Sequence, residues 1–267
     1  MGPADLVEVV ELLDRDPIND VFVASRVNGS GLSPGRLGGE LWGCRRGTAL
    51  TALCYSGANL VPVAADRAAA HAFAERAART PRRCSSILGP SSAVIAMWER
   101  LRLDWTPARQ VRPSQPLLVL DGPPAIAADP KVRRVRPDEL DRLFPACVAM
   151  FTEEVGVAPV HGPYRSRIAE LVAAGRAFAR FEDGEVLFKA EVGPVTPDAC
   201  QVQGVWVCPD RRGMGLSAPG MAAVVQQAQR YLAPVVTLYV NDFNTAARAA
   251  YRRTGFRQIS EFATVLF

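Results

Sequence analysis

The sequence predicts an α+β protein built from two domains. Its 267 residues are long for one domain, and two domains of about 130 residues each are the natural expectation. Hydrophobic residues make up 49% of the chain and charged residues 22%, a balance typical of globular proteins with a sizeable core. Apolar runs of strand length alternate with longer helical patterns, and Asp183-Gly184 separates two such runs as a hairpin turn.

The first half of the chain alternates helices and strands and ends in a proline-rich linker. Predicted helices cover residues 5–15, 68–78 and 93–101, and predicted strands cover residues 39–44, 49–55, 60–63, 84–88 and 115–120. Paired prolines and small residues between Asp121 and Pro130 break any periodicity. We therefore expect one domain over residues 1–128 and a second over residues 129–267.

The second half gives clearer signals for the same kinds of element. Predicted helices cover residues 137–152, 164–174, 217–233 and 245–254, and predicted strands cover residues 132–135, 177–182, 185–192, 200–207, 235–240, 256–259 and 262–267. Pro219 and Gly220 fall near the start of the third of these helices, at the edge of where a proline is tolerated. We expect an irregular first turn there.

The most informative motif connects a predicted strand to this long helix. It reads Val205-Trp206-Val207-Cys208-Pro209-Asp210-Arg211-Arg212-Gly213-Met214-Gly215-Leu216-Ser217. A strand that stops at a glycine-rich turn and enters a helix leaves backbone N–H groups unpaired, and the helix dipole adds positive potential. Two arginines add positive charge at the same place. The motif therefore predicts a binding site for phosphate groups.

Two other nucleotide-binding motifs fit this stretch poorly. The phosphate loop of NTPases requires Gly-x-x-x-x-Gly-Lys-Ser/Thr, and the chain contains no such run. The dinucleotide fingerprint Gly-x-Gly-x-x-Gly is met only loosely, because Ala218 stands at its last position. Asp242 also lies farther along the chain than the acidic residue of that pattern. The dinucleotide alternative is therefore disfavoured.

The motif resembles the signature Gln/Arg-x-x-Gly-x-Gly/Ala of the GNAT superfamily of acyl-CoA-dependent N-acyltransferases. It runs here from Arg212 to Ser217, with serine at the position of the usual small residue. A second block, Asn244, Ala247 and Tyr251 followed by Gly255-Phe256, is similar to the family's Asn-x-x-Ala-x-x-x-Tyr helix and closing Gly-Phe. The resemblance covers residues 131–267. It implies a mixed, mostly antiparallel GNAT sheet flanked by helices, with acetyl-CoA or another acyl-CoA as co-substrate.

The first half resembles the uncharacterised domain that precedes the GNAT domain in a group of bacterial proteins. We interpret it as a degenerate GNAT-like domain. Its segment Leu88-Gly89-Pro90-Ser91-Ser92 has a strand-turn-helix form but lacks the signature. An ordinary turn with serine N-caps is therefore favoured over a second cofactor site.

The resemblance also implies roles for individual residues. The backbone of residues 211–217 would hold the diphosphate, and a backbone N–H in the strand of Val205, Trp206 and Val207 would meet the oxyanion. Asn244, Ala247 and Tyr251 fall on one stripe of a helix. Asn244 suits an N-cap, Ala247 leaves room for the cofactor, and the Tyr251 phenol, protonated at neutral pH, would donate to the leaving thiolate. A purely structural core aromatic is the alternative for Tyr251.

The general base is less well defined by the sequence. Candidates are Glu191 on an otherwise apolar strand, Glu153 and Glu154 at the end of a helix, and His161 in the following loop. Lys189 lies two residues from Glu191 on the same strand face, so an ion pair explains that acid equally well. Glu153 and Glu154 also suit solvated positions on a helix.

We expect an N-acyltransferase that moves an acetyl or short acyl group to an amine of a small molecule or peptide by direct attack. One alternative is a tandem-GNAT transferase of a thiol-conjugate or amino-sugar metabolite. Another is a non-catalytic acyl-CoA sensor, which would need the glycine turn but not Tyr251.

Composition argues against several other classes. The six cysteines contain no Cys-x-x-Cys, and there are only two histidines, so we expect neither a metal site nor a Cys-His or Ser-His-Asp hydrolase. The net charge of +4 is mild and its arginines are scattered, so we expect no nucleic-acid binding. No apolar run reaches 18 residues and no signal pattern opens the chain. We expect a cytoplasmic monomer or homodimer without membrane contact.

Overall fold

The chain forms two compact units, neither of which is continuous in sequence. The first unit contains residues 1–118, 239–243 and 258–267, and the second contains residues 119–238 and 244–257. The computed structural model describes residues 1–267 with the exception of the side chain of Pro34. The division at residue 128 inferred from the linker stays a prediction.

The secondary structure follows in chain order. The helices are α1 (Leu6–Leu13), α2 (Val21–Ser30), α3 (Pro34–Leu37), α4 (Arg67–Ala78), α5 (Ser91–Leu101), α6 (Leu140–Val155), α7 (His161–Ala173), α8 (Ser217–Tyr231) and α9 (Thr245–Thr254). The strands are β1 (Gly39–Arg46), β2 (Ala49–Gly57), β3 (Asn59–Val63), β4 (Ser86–Pro90), β5 (Gln110–Leu120), β6 (Arg133–Arg134), β7 (Ala177–Glu182), β8 (Glu185–Val195), β9 (Ala199–Val207), β10 (Val235–Tyr239) and β11 (Arg257–Leu266).

The sheet of the first unit has the strand order β1-β2-β3-β4-β11-β5. Neighbouring strands from β1 to β3 and the pair β4/β11 are antiparallel, whereas β3 and β4 are parallel and are joined by α4. Alternate residues of a strand face opposite sides of a sheet. Leu53 and Tyr55 therefore pack in the core beneath α1 and α2, while Ala52 and Cys54 pack beneath α4 and α5.

The sheet of the second unit has the order β10-β9-β8-β7-β6. Only β9 and β10 are parallel, and α8 joins them. Helices α6 and α7 cover the face that carries Ala177 and Ala179. On the other face α8 packs closely, since a Cβ at Gly220 would lie 2.9 Å from the Phe188 ring. The prediction of a mixed, mostly antiparallel sheet flanked by helices is confirmed.

Several local predictions were wrong. Helices α2 and α3 lie where none is predicted; α2 contains valines and Gly29, which lower intrinsic helix propensity, but its valines are buried in the core. The last two predicted strands form one strand, β11. The first turn of α8 is regular, with the Gly220 N–H donating to the Leu216 carbonyl at 3.0 Å. Pro90, rather than a serine, is the N-cap residue of α5.

Within the described residues, no helix combines the length and the apolar character needed to cross a bilayer. In the same part of the chain, no group of three or more His, Cys, Asp and Glu side chains could hold a metal ion.

Candidate functional site

The glycine turn lies in the second unit between β9 and α8. Residues 209–211 form one 3-10 turn, and Gly213 and Gly215 then adopt φ values of +77° and +78°. Only glycine adopts this left-handed region without a steric penalty. A Cβ at either position would meet open space, so backbone conformation rather than crowding requires glycine here.

This turn leaves a row of backbone donors without acceptors. Among the described residues, the N–H groups of residues 213–218 donate to no acceptor, and the N-cap residue Leu216 provides no side-chain cap. Successive free N–H groups in a turn with left-handed residues form a concave anion-binding surface, and the positive end of the α8 dipole lies at the same place. The arrangement fits a diphosphate.

The two arginines of the turn have different surroundings. Arg212 donates from Nε to the Val207 carbonyl at 3.1 Å and from a terminal nitrogen to the Glu153 carboxylate at 2.6 Å. Glu153 also accepts a hydrogen bond from the Trp206 indole at 3.2 Å. Arg212 therefore links the turn to the end of α6 by hydrogen bonds. The side chain of Arg211 is exposed and is not used in this link.

Strand β9 separates from β10 just before the turn. The two strands pair only from Ala199 to Gln201, so the rest of β9 extends beyond the pairing with β10. On its other edge β9 has one extra residue relative to β8, near Gly204, whose φ is +60°. A bulge of this kind breaks the regular ladder and redirects backbone groups. The backbone of Val205, Trp206 and Val207 therefore lies beside the opening that leads to the glycine turn.

Helix α9 brings Asn244, Ala247 and Tyr251 to one face, as predicted. The Asn244 side chain accepts a hydrogen bond from the Ala247 N–H at 3.1 Å and so caps the helix. Tyr251 is only 6% exposed, and its ring meets the Phe256 ring edge-on at 6.0 Å. No hydrogen bond of its phenol is found in the part of the chain that the structure describes.

The charge of Glu154, at the end of α6, acts on the Tyr251 phenol. Burial raises the pKa of the Tyr251 phenol above its ordinary range, and the nearby Glu154 carboxylate raises this pKa further. The phenol therefore keeps its proton at all physiological pH values. Glu154 is itself exposed. Two of the three predicted catalytic residues, Tyr251 and Glu154, thus interact electrostatically.

Glu191 lies in a different setting, on the sheet face covered by α6. It forms a buried ion pair with Lys189, and the Cys147 thiol lies 3.5 Å from its Oε1 atom. Burial lowers the pKa of Lys189, but the charges and hydrogen bonds of Glu191 and Cys147 together outweigh burial, and the pKa is raised overall. The other Glu191 oxygen lies beneath the bulge, 3.2 Å from where a Cβ of Gly204 would be. The ion-pair alternative is therefore what the structure shows.

Three features of the site were missed by sequence reasoning. Gly204 inside a strand is a known sign of a bulge and could have been noticed. The contact of Glu153 with Arg212 joins residues 59 positions apart and has no local signal. The Tyr164 hydroxyl donates to the Cys147 carbonyl at 3.1 Å. Burial raises the pKa of the Tyr164 phenol, and the Glu191 charge raises this pKa further. That interaction also depends on the packing of α7 against α6.

Comparison with known families agrees with this geometry. Residues 144–256 match the Acetyltransferase (GNAT) family, and residues 39–143 match a domain of unknown function, DUF4081. No curated protein matches the sequence.

Solved structures resemble the whole chain in fold. An acetyltransferase of the GNAT family from Colwellia psychrerythraea has a TM-score of 0.60 at 13% identity, covering 100% of this chain and 97% of its own. A GCN5-related N-acetyltransferase from Sphaerobacter thermophilus has a TM-score of 0.63 at 15% identity, covering 99% and 92%. A tandem GNAT protein from the clavulanic acid biosynthesis pathway has a TM-score of 0.56 at 14% identity, covering 100% and 97%. The GNAT-like fold therefore extends over the N-terminal region as well.

Proposed function

We propose that this chain, of which residues 144–256 match the Acetyltransferase (GNAT) family and residues 39–143 match a domain of unknown function, transfers an acetyl or short acyl group from acyl-CoA to an amine. The observation that carries the proposal is the row of free N–H groups at residues 213–218, in the glycine turn and at the start of α8. These donors suit the diphosphate of CoA, and Arg211 adds a mobile positive charge. Acyl-CoA would supply the reactive thioester.

The acyl group of the co-substrate is proposed to lie in the opening between β9 and β10. Beyond Gln201 strand β9 no longer pairs with β10, so the edge of Val205–Val207 that faces away from β8 can offer an N–H group to the oxyanion of the carbonyl. Ala247 presents only a methyl group on the same face of α9 as Tyr251, so the chain of the co-substrate can pass.

Tyr251 is the proposed general acid. Its phenol has no hydrogen-bond partner among the described residues, and its raised pKa keeps it protonated. It would donate this proton to the leaving thiolate of CoA. Such a transfer contributes about 10²–10⁴-fold to a rate.

Glu154 is the proposed general base that removes the proton from the attacking amine. It is exposed and its charge acts on the Tyr251 phenol, whereas Glu191 is held by Lys189 on the face beneath α6. We assign Glu191 a positioning role: its carboxylate supports the backbone of Gly204 at the bulge.

The test is a titration with acetyl-CoA followed by an assay of free CoA released during turnover. Calorimetry with acetyl-CoA should give one site per chain, with a raised melting temperature because the ligand binds the folded state. Release of free CoA should then depend on an amine from a panel of amino sugars, polyamines and peptides. Binding without release against any amine would favour the sensor alternative, and absence of binding would contradict the proposal as a whole.

A further inference from the structure

A cavity in the first unit contains a buried acid that the acyl-transfer proposal does not use. The cavity has a volume of about 640 Å³ and lies among the end of α1, the segment leading to α2, the first turn of α5 and strand β11. All of its lining residues belong to the first unit. A volume of this size is typical of sites for small molecules.

Asp20 is the buried acid. It is only 5% exposed and lines the cavity, and it is the N-cap residue of α2 without making a side-chain cap. No hydrogen bond or ion pair to its carboxyl group is found within the described residues. Buried carboxyl groups are normally paired, so one that faces a cavity without a partner is suited to a ligand.

The other charged groups of the cavity are Arg15, Asp16 and Glu261. Together with Asp20 they give three acidic groups against one basic group. The Asp16 carboxylate is held in place by the Asn19 side chain at 2.5 Å, and Asn19 in turn accepts from the Ser260 hydroxyl at 2.7 Å. This charge balance favours a ligand with a positive group.

The first turn of α5 carries groups that suit oxygen atoms. Ser91 and Ser92 at the start of α5 line the cavity, and the first N–H groups of a helix lack intrahelical acceptors. The Ser91 hydroxyl already donates to the Pro113 carbonyl at 2.8 Å, which orients it. A ligand with an ammonium group at one end and hydroxyl groups at the other matches both kinds of group.

We propose that this cavity is a binding site for a small aliphatic amino alcohol, whose ammonium group pairs with Asp20 and whose hydroxyl groups meet Ser91 and Ser92. The site is independent of the acyl-transfer proposal, because it contains no residue of the glycine turn or of α9. The pairing would satisfy the buried carboxylate by a charge-assisted hydrogen bond.

The test uses 5-aminopentan-1-ol and its neutral counterpart pentane-1,5-diol, each titrated into the full chain and followed by amide chemical shifts. The amino alcohol should cause saturable shifts at Asn19 and Ser92, and the diol should not. At pH 9, above the pKa of Asp20, the variant Asp20→Asn should weaken binding of the amino alcohol by about 10- to 100-fold, the usual worth of a hydrogen bond to a charged group. Asp14→Asn removes the same charge from an exposed position outside the cavity and should leave the affinity unchanged.

A pH series on the wild-type protein makes the same test without a variant. Burial, and then the Asp16 charge, raises the pKa of Asp20 to about 8. The ammonium group binds the ionised form, so affinity should increase roughly tenfold from pH 7 to pH 9. Arg15, Asp16 and Glu261 are the other charged groups facing the cavity.

Four results would overturn the proposal. They are equal affinity in Asp20→Asn and wild type, equal loss in Asp14→Asn, binding of the diol as tight as that of the amino alcohol, and no saturable shift at any pH. A fifth such result is saturable binding of inorganic phosphate that is lost in Arg15→Ala, which would show an anion site instead.

Discussion

Each unit contains one pair of parallel strands joined by a helix, yet the two helices begin in opposite ways. In the first unit, α4 is capped by Asp66, whose side chain accepts from the Ala69 N–H at 2.9 Å. In the second unit, α8 follows the glycine turn and has no side-chain cap. The same structural element is therefore closed to an anion in one unit and open in the other.

The cap at α4 is also negatively charged. Its hydrogen bond from the Ala69 N–H holds the pKa of Asp66 below the ordinary value, and the Arg46 charge lowers this pKa further. A phosphate group at the start of α4 would meet a carboxylate where α8 offers free N–H groups. A helix N-terminus becomes an anion site only when the preceding turn leaves it uncapped.

The largest effect is expected from Gly215→Glu, which should abolish CoA binding. The substitution places a carboxylate against the diphosphate and forces a side chain into φ +78°. Calorimetry and melting curves with saturating CoA measure the loss.

Gly47→Glu is its matched control in the first unit. Gly47 lies in the β1–β2 turn with φ +60° and open space around it, so the backbone strain is similar. This variant should bind CoA as the wild type does. Normal CoA binding by Gly215→Glu would show that the glycine turn does not hold the phosphates.

The next effect concerns Tyr251→Phe, which keeps the ring packed against Phe256 and removes the proton donor. Turnover should fall by roughly 10- to 10,000-fold while CoA affinity changes little. Tyr231→Phe on α8 is the control, because Tyr231 is 53% exposed and lies outside the site. A structural role for Tyr251 predicts the reverse: full turnover in the Phe variant and loss of stability in Tyr251→Ala.

Buried carboxyl groups provide a second comparison between the units. Glu139 in the second unit accepts two hydrogen bonds of 2.7 Å from Arg133, which lowers its pKa to about 2. Glu139→Gln should reduce the free energy of unfolding at pH 7 by about 1.5–3 kcal/mol. Because the folded pKa is depressed, the wild type should lose this contribution as the pH falls from about 4.5 to about 2.

Asp20 in the first unit should behave in the opposite way. Its folded pKa of about 8 lies above its unfolded value, so the wild type should lose stability as the pH rises from about 4 towards 8. Asp20→Asn should remove this loss. Urea unfolding of the wild type and of Asp20→Asn between pH 4 and pH 8 measures this difference. An equal change of the free energy of unfolding with pH in the two proteins would contradict the comparison.

The smallest effect is expected at the helix caps. Asn244→Ala should cost about 1 kcal/mol in the free energy of unfolding, because the Ala247 N–H loses its acceptor. Asp66→Ala is the counterpart in the first unit and should also destabilise, without any change in CoA stoichiometry. A second CoA site in Asp66→Ala would show that the cap alone keeps the first unit from binding.

Local signals in the sequence were sufficient for much of the second unit. The hairpin at Asp183-Gly184, the strand β7 and the helix α9 follow from short-range periodicity and turn residues, and their predicted bounds match the structure or differ by a few residues. The glycine turn was equally accessible, because left-handed backbone at Gly213 and Gly215 is a local requirement. Helix α2 was not accessible, since its stability comes from buried contacts with α1 and the sheet.

The sequence by itself determined the fold class, the position of the glycine turn and the stripe of Asn244, Ala247 and Tyr251. Only the tertiary structure decided which acid pairs with which base: Glu191 with Lys189 and Glu153 with Arg212. It also decided that the final strand belongs to the first unit and that Asp20 faces a cavity without a partner. The physical reason is range. Helix, strand and turn preferences act over a few residues, whereas burial and charge pairing depend on residues that only folding brings together.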